Sequence, residues 1–166
     1  HSDTEAHVVA GVEPGLVVVP VQHTANVSSS IEEAKVVLDI ALAQVAKLGA
    51  SEVLIVAPYN AQVDLLRQLL DEAGLKEVAV GTVDKFQGRE AMVVIVSLAA
   101  SSALDAPRGL DFLLDRNRLN VALSRAKANC YLVYSPALTK SRFRNIEELK
   151  SVSRLNGLLD QARSIS

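Results

Sequence analysis

The stretch from Val80 to Glu90, VGTVDKFQGRE, concentrates side chains that could bind a charged ligand. It offers a hydroxyl, an amide, two cations and two carboxylates around a flexible glycine, with Phe86 as the only bulky side chain. It also follows an apolar segment that is typical of a buried strand. Open α/β sheets bind ligands at the carboxyl ends of their strands, so the sequence predicts a binding loop here.

A second polar stretch, from Asp115 to Lys127, carries arginines at helical spacing. Arg118 and Arg125 lie seven residues apart, which is about two helical turns, so both would project from one face of a helix. A guanidinium group stays charged and binds phosphate oxygens in a bidentate manner, which makes this face a candidate γ-phosphate sensor. The alternative is that both arginines simply pair with nearby acids.

Charge is unevenly distributed along the 166-residue chain, whose net charge is −2. The segment from Thr82 to Arg144 contains ten Lys and Arg but five Asp and Glu, while the remainder carries a formal charge of −7. This asymmetry indicates one basic face that could meet phosphate, although an ordinary solvated surface is the alternative. The length predicts one domain with a sizeable core.

Several classes of protein and site are disfavoured by the sequence. Cys130 is the only cysteine and lies in an apolar run, so it is predicted to be a core residue and not a metal ligand. The three histidines lack ligand-like spacing, no apolar run is long enough for a membrane span, and the first twenty residues lack a basic signal-peptide region. Neither GxxxxGK[ST] nor a GxGxxG after a strand occurs.

Alternating patterns predict a mostly parallel sheet with helices between its strands. The predicted strands are residues 16–21, 52–57, 76–81, 91–99 and 129–135, and helices are predicted after Ser30, after Asn60, over 117–127 and over 145–163. Pro20 favours an edge position for the first strand, and the apolar fourth strand favours a central one. Ser30 with Glu33 predicts a capping box, and Asn60 predicts a second helix cap.

Three segments resemble, in order and spacing, motifs of superfamily 1 helicases of the helicase–nuclease and nonsense-mediated-decay branch. APYNAQ (57–62) resembles their TPYxxQ segment, VGTVDKFQGRE (80–90) resembles motif V, and NRLNVALSRAK (117–127) resembles motif VI. With the segment 101–120, the closest likeness is to bacterial RecB-like nuclease–helicase fusion proteins. The resemblance implies a RecA-like fold of the P-loop NTPase class that lacks its own Walker A motif.

The resemblance also implies roles for individual residues. Arg125 would be the arginine finger that reaches the ATP γ-phosphate, with Arg118 a less certain second catalytic cation. Gly88 would bring its backbone amide to that phosphate, Glu90 would bind the ribose hydroxyl, and Gln87 would support the loop. Contacts to the phosphates or sugars of a nucleic-acid strand are assigned to Tyr59, Asn60, Thr82 and Lys85. Phe86 is expected to be a packing anchor.

The resemblance further implies that this chain is part of a larger motor. Residues 1–15 are expected to be a linker or an artificial edge, and residues 16–166 the second RecA-like motor domain of a DNA helicase or translocase. ATP with Mg²⁺ would lie between it and a first RecA-like domain, which would hold the metal, so the chain alone would be inactive. Single-stranded DNA, or RNA, is the expected partner, DNA repair the expected process, and the cytoplasm the expected location.

Two other functions remain open from the sequence. One is a non-catalytic RecA-like module for nucleic-acid binding or docking, against which the alignment of Arg125 with Gly88 and Glu90 argues. The other is a flavodoxin-like regulatory domain, which should carry an acidic pocket or phosphate loop after its first strand. The residues from Leu16 to His23 show neither feature.

Overall fold

One five-stranded parallel sheet organises the computed structural model, which describes residues 15–86, 88–140 and 146–165. The strand order is β1-β5-β4-β2-β3, and every neighbouring pair is parallel. The strands are β1 (Gly15–Pro20), β2 (Val53–Val56), β3 (Ala79–Gly81), β4 (Ala91–Ser97) and β5 (Ala126–Tyr134). The predictions of a parallel sheet, an edge position for the first strand and a central fourth strand are confirmed.

Helices cover both faces of this sheet. They are α1 (Ile31–Leu48), α2 (Asn60–Glu72), α3 (Gly109–Leu113), α4 (Arg116–Ser124) and α5 (Ile146–Ile165). Side chains of α1 and α2 pack on one face of the strands, and those of α3, α4 and α5 pack on the other. Because both faces are covered, residues of either parity along β4 are buried, as is typical of a central parallel strand.

The face of the sheet that α3, α4 and α5 cover carries a core of small and apolar residues. Cys130 is fully buried in β5 among this set, and its burial raises the pKa of the thiol to about 12. Phe86 is 1% exposed and belongs to the same cluster, so the prediction that it is a packing anchor is confirmed. Each such fully buried large side chain stabilises the fold by about 1.5–3 kcal/mol.

Ser30 caps α1 as predicted, but the capping box is only half formed. The Ser30 hydroxyl accepts a hydrogen bond from the Glu33 amide at 3.1 Å. The amide of Ser30, which Glu33 would accept from in a capping box, instead donates to Gln62 Oε1 at 2.8 Å. The carboxylate of Glu33 turns into the protein interior, because three other donors lie there.

The ends of other elements also differ from the predictions. Tyr59, not Asn60, is the N-cap of α2, and no side chain caps that helix, so the predicted Asn60 cap is wrong. The motif VI helix ends at Ser124, and β5 begins at Ala126, three residues before the predicted strand. Gly157 does not interrupt α5. The predicted 1–15 linker falls almost wholly outside the described residues.

Candidate functional site

The predicted site residues divide between the two edges of the sheet. Thr82 follows β3 directly, so the motif V loop begins at the carboxyl edge. The loop then returns to the amino edge, where Glu90 precedes the first residue of β4. A parallel strand of seven residues such as β4 spans about 23 Å. The two ends of motif V therefore serve different regions of the surface.

At the amino edge, motif V and motif VI come together. The amide of Ala91 donates to the carbonyl of Arg125 at 3.0 Å, and Ala91 is paired with Ala126 across the strands. Glu90 and Arg125 thus immediately precede neighbouring strands. A register irregularity follows at Ala91 and Val93, and such irregularities re-aim side chains beside functional sites. The structure brings this predicted carboxylate and this predicted arginine to one edge.

Arg125 has a buried polar atom that the described residues leave unpaired. Its backbone is αR at the end of α4, and its side chain is partly exposed. The Nε atom is buried and has no hydrogen-bond partner among the residues that the structure describes. A buried unpaired donor costs about 1–3 kcal/mol, more when charged, unless a ligand or partner supplies an acceptor. This chemistry fits an anionic phosphate oxygen.

Gly88, in the motif V loop, contributes open backbone. Its φ of 79° is a left-handed conformation, and no heavy atom lies within 4 Å of the position that a Cβ would take. The space fits close approach of a ligand to the peptide group, and glycine is the residue that adopts this φ without strain. Arg89 continues the turn, with its amide donating to the Phe86 carbonyl at 2.9 Å. Gln87 lies outside the described residues.

At the carboxyl edge, a cavity of about 270 Å³ opens between β2, β3 and the segment that follows β4. Two residues that are predicted to contact a nucleic-acid strand line this cavity: Asn60, at the start of α2, and Thr82, after β3. Arg118 also lines this cavity, while Arg125 does not. The two arginines are separated by about 10 Å along the axis of α4. Arg118 therefore lies near the residues that are predicted to contact a nucleic-acid strand.

Tyr59, also predicted to touch nucleic acid, is 7% exposed and lies under the segment after β4. Its hydroxyl donates to the Pro107 carbonyl at 3.0 Å, and its ring stacks with Phe112 at a centroid distance of 5.9 Å. Burial raises the pKa of this hydroxyl, with a smaller opposing effect from Arg108. In this structure Tyr59 supports the cavity wall, where Arg108 and Phe112 are residues that the sequence reasoning missed.

Lys85 is exposed, but its ammonium group is bonded to the protein's own backbone. Its Nζ donates to the Val80 carbonyl at 3.0 Å. Its stem crosses Gly81, where an added Cβ would lie 2.5 Å from Lys85 Cδ. Because Gly81 has no Cβ, the Lys85 side chain can fold back over β3. A contact between Lys85 and a nucleic-acid strand would compete with the hydrogen bond from Lys85 to the Val80 carbonyl.

A buried polar network supports the carboxyl edge from beneath. The Glu33 carboxylate, 0% exposed, lies 2.7 Å from His23 Nε2 and accepts from Ser97 Oγ at 2.8 Å and from the Ala99 amide at 3.0 Å. Gln62 of the APYNAQ segment donates to Ser97 Oγ at 3.0 Å. The network joins α1, α2 and the end of β4. Sequence reasoning assigned Glu33 only to a cap and gave no role to the histidine.

His23 is held in one tautomer by its neighbours. Asn26 Nδ2, an amide donor, lies 3.0 Å from His23 Nδ1, and Ser101 Oγ lies 2.6 Å away. Nδ1 is therefore the acceptor, and Nε2–H donates to Glu33. This line of serine, histidine and carboxylate has the order of a hydrolase triad. Ser101 is 2% exposed and already accepts from the Asn26 amide at 2.9 Å, so the arrangement is structural.

Comparisons with known proteins identify the family of this chain. The family model described as "AAA domain" matches residues 19–137. The chain belongs to this family. One relative is the DNA polymerase alpha-associated DNA helicase A of Schizosaccharomyces pombe, 47% identical over 88 residues, covering 53% of this chain and 13% of that protein. This relative and the others reported below are named as helicases, which is consistent with the resemblance of motifs V and VI to those of superfamily 1 helicases.

Two further relatives and one solved structure extend the comparison. The DNA replication ATP-dependent helicase/nuclease DNA2 of Xenopus tropicalis is 40% identical over 99 residues, covering 60% of this chain and 9% of that protein. Human RNA helicase Mov10l1 is 36% identical over 93 residues, covering 54% of this chain and 8% of that protein. The C-terminal domain of a possible DNA helicase from Lactobacillus plantarum has a TM-score of 0.51 at 21% identity, covering 82% of this chain and 84% of that one. This last likeness shows the α/β fold.

The described residues contain neither a membrane-spanning helix nor a cluster of metal-ligating side chains. Among the described residues, no helix combines the length and hydrophobicity needed to cross a membrane. Within the same residues, no cluster of His, Cys, Asp and Glu has the arrangement of a metal site.

Proposed function

We propose that this chain is the second motor domain of an ATP-dependent helicase or translocase that moves along single-stranded DNA. The observation that supports this most is the meeting of motifs V and VI at the amino edge, where Ala91 bonds to the Arg125 carbonyl at 3.0 Å. The chain spans about a tenth of the length of relatives named as ATP-dependent helicases or DNA helicases. The remaining machinery would lie elsewhere in the complete protein.

In this proposal the amino edge completes a nucleotide site formed with another RecA-like domain. Bound ATP with Mg²⁺ would supply the free energy of hydrolysis. Arg125, whose Nε is buried and unpaired within the described residues, would bind the γ-phosphate as its charge develops. The open backbone at Gly88 would approach the same phosphate, and exposed Glu90 would accept a hydrogen bond from a ribose hydroxyl. Gln87 would support the loop.

The carboxyl edge would bind the nucleic acid. The Thr82 hydroxyl and the Asn60 amide line the cavity there and suit contacts to a phosphate–sugar backbone, which carry no base sequence. Motif V connects the two edges, because its loop runs from Thr82, after β3, to Glu90, before β4. A change at the nucleotide edge would therefore be transmitted to the strand through one short loop anchored by buried Phe86.

The test is ATP hydrolysis by the complete protein with and without single-stranded DNA. Arg125→Ala should reduce the DNA-stimulated rate by about 10³-fold or more while leaving strand binding intact. Lys127→Ala is the matched control, since it removes an exposed cation two residues further along. Near-normal hydrolysis by Arg125→Ala would refute the arginine-finger assignment.

Hydrolysis by the isolated chain is expected to be absent. If the complete protein also hydrolyses no ATP yet binds DNA, the non-catalytic binding module becomes the better description. Single-stranded RNA in parallel assays decides between the two nucleic acids, which matters because relatives are named for either. The likeness to nuclease–helicase fusion proteins and the role in DNA repair stay predictions.

A further inference from the structure

A cationic cluster in the carboxyl-edge cavity has no part in the proposed function as stated above. The guanidinium carbon of Arg108 lies 3.9 Å from the centre of the Phe112 ring, and that of Arg118 lies 4.1 Å from the same centre. Both arginines line the cavity together with Thr82 and Asn60. Two cations therefore converge on one aromatic ring beside the proposed strand-binding groups.

The cavity offers one carboxylate, that of Asp84, to these two arginines. Within the part of the chain that the structure describes, neither guanidinium forms an ion pair. Asp115, the nearest carboxylate in sequence to Arg118, accepts instead from the Arg118 backbone amide at 2.9 Å. The guanidinium of Arg118 makes one long hydrogen bond of 3.4 Å, to the Phe112 carbonyl. Most of its N–H donors remain available to a ligand in the cavity.

The protein fixes the position of the cluster. Phe112 stacks on Tyr59, and the Tyr59 hydroxyl binds the carbonyl of Pro107, the residue before Arg108. Arg108 itself has a φ of 63°, a conformation that a residue with a Cβ adopts at a cost. Cation–π contacts with the Phe112 ring hold the guanidinium groups in place before any ligand arrives. Such preorganisation lowers the entropy lost on binding.

We propose that Arg108 and Arg118 together grip one phosphodiester group of the nucleic-acid strand at the carboxyl edge. The inference rests on the proposed function, which it deepens by adding Arg108 and by moving Arg118 from the nucleotide to the strand. A phosphate is favoured over a base because the Phe112 ring already contacts Tyr59 and both guanidinium groups. Paired guanidinium groups suit the several oxygens of a phosphate.

The test measures binding of a fluorescein-labelled oligothymidylate to the full chain by anisotropy across a salt series. Arg108→Asn removes the charge but keeps a residue that tolerates the left-handed backbone. Arg118→Gln removes the second charge. Arg118→Lys keeps the charge but replaces the planar guanidinium group, which can bind two phosphate oxygens at once, by an ammonium group. Arg89→Gln is the charge-matched control, because Arg89 is exposed at the other edge. Circular dichroism checks that each variant is folded.

Arg108→Asn and Arg118→Gln should each weaken binding by about fivefold to tenfold at low salt, and each should reduce the salt slope by about 0.7. Arg118→Lys should keep the slope while losing part of the affinity. If Arg108→Asn and Arg118→Gln both bind the oligonucleotide with the affinity and salt slope of Arg89→Gln, the proposal that Arg108 and Arg118 bind one phosphodiester is refuted. Absence of binding by the unmodified chain also refutes it, while ATP hydrolysis by the complete protein still judges the proposed function separately.

A free nucleotide is the other source of phosphate. Thymidine monophosphate should compete with the oligonucleotide only weakly, since it offers one phosphate and no neighbouring backbone contacts. Competition as strong as that of unlabelled oligothymidylate would overturn the strand assignment in favour of a mononucleotide site. Loss of affinity when the bridging phosphates are replaced by neutral methylphosphonates would support the phosphodiester contact.

Discussion

Replacing Glu33 by glutamine tests whether the buried network holds the carboxyl edge together. The carboxylate serves three donors: its Oε2 atom faces His23 Nε2, and its Oε1 atom accepts from Ser97 Oγ and from the Ala99 amide. Glutamine has almost the same shape but offers one oxygen and one NH₂ group. With its oxygen toward Ser97 and Ala99, its NH₂ group meets the donor Nε2–H of His23.

The size of the effect follows from these contacts. His23 could accept from the new NH₂ group only by moving its proton to Nδ1, which faces the amide donor of Asn26 at 3.0 Å. One donor is left without an acceptor, at about 1–3 kcal/mol, and the two remaining bonds lose the assistance of a charge. Glu33→Gln should therefore reduce the free energy of unfolding by about 2–4 kcal/mol.

Urea unfolding followed by circular dichroism measures this free energy, since the chain has no tryptophan. Glu32→Gln is the matched control: the same change at the preceding residue, whose carboxylate is exposed. Hydrogen bonds from its own backbone amide and from Asn26 lower the pKa of Glu32, but solvent screens this carboxylate, so the loss should stay below about 1 kcal/mol. Equal unfolding midpoints for the two variants would refute the reasoning that the Glu33 carboxylate fixes this edge.

Two further predictions concern reactivity and backbone conformation. Cys130 should resist alkylation by iodoacetamide in the folded chain at pH 9, because burial raises the pKa of its thiol to about 12. Mass spectrometry measures the alkylated fraction, and labelling as fast as in urea would contradict the burial. The stability that the protonated thiol contributes should decline as the pH rises from about 8.5, where the thiol of the unfolded chain ionises, toward 12. Gly157→Ala should stabilise the chain by about 0.5–1 kcal/mol, since open space surrounds this exposed helical position. Gly88→Ala should destabilise it by about 1 kcal/mol because its φ is 79°; thermal unfolding that shifts both variants the same way would refute the conformational argument.

Local patterns were sufficient to predict the sheet and most of its connections. The run in β4 is apolar at every position before Ser97, which is typical of a strand covered on both faces, and the structure places β4 at the centre. Pro20 has no amide to donate, and β1 lies at an edge. The motif V and VI segments were likewise located from their residues, and the structure joins them through Ala91 and Arg125.

Contacts between distant residues could not be predicted in this way. A serine followed three residues later by a glutamate suggests a capping box, but Glu33 prefers donors that lie up to 66 residues away. Arg118 and Arg125 share a helix face in sequence, but the direction of α4 relative to the sheet assigns Arg118 to the carboxyl-edge cavity and Arg125 to the amino edge. Sequence spacing gives neighbours on one helix and does not give the elements that surround it.

The sequence by itself therefore determined the parallel α/β sheet and the burial of Cys130 and Phe86, because hydrophobic periodicity and turn chemistry act over a few residues. The two motif segments were identified from the sequence by their resemblance to helicase motifs. Only the tertiary structure decided which edge each polar residue serves and which partner each buried polar group has. Strand order and packing bring Ser97 to Glu33 across 64 positions and place Arg108 over Phe112. Those choices depend on the whole set of packed elements, since a buried donor or acceptor pairs with whatever the fold brings within hydrogen-bond distance.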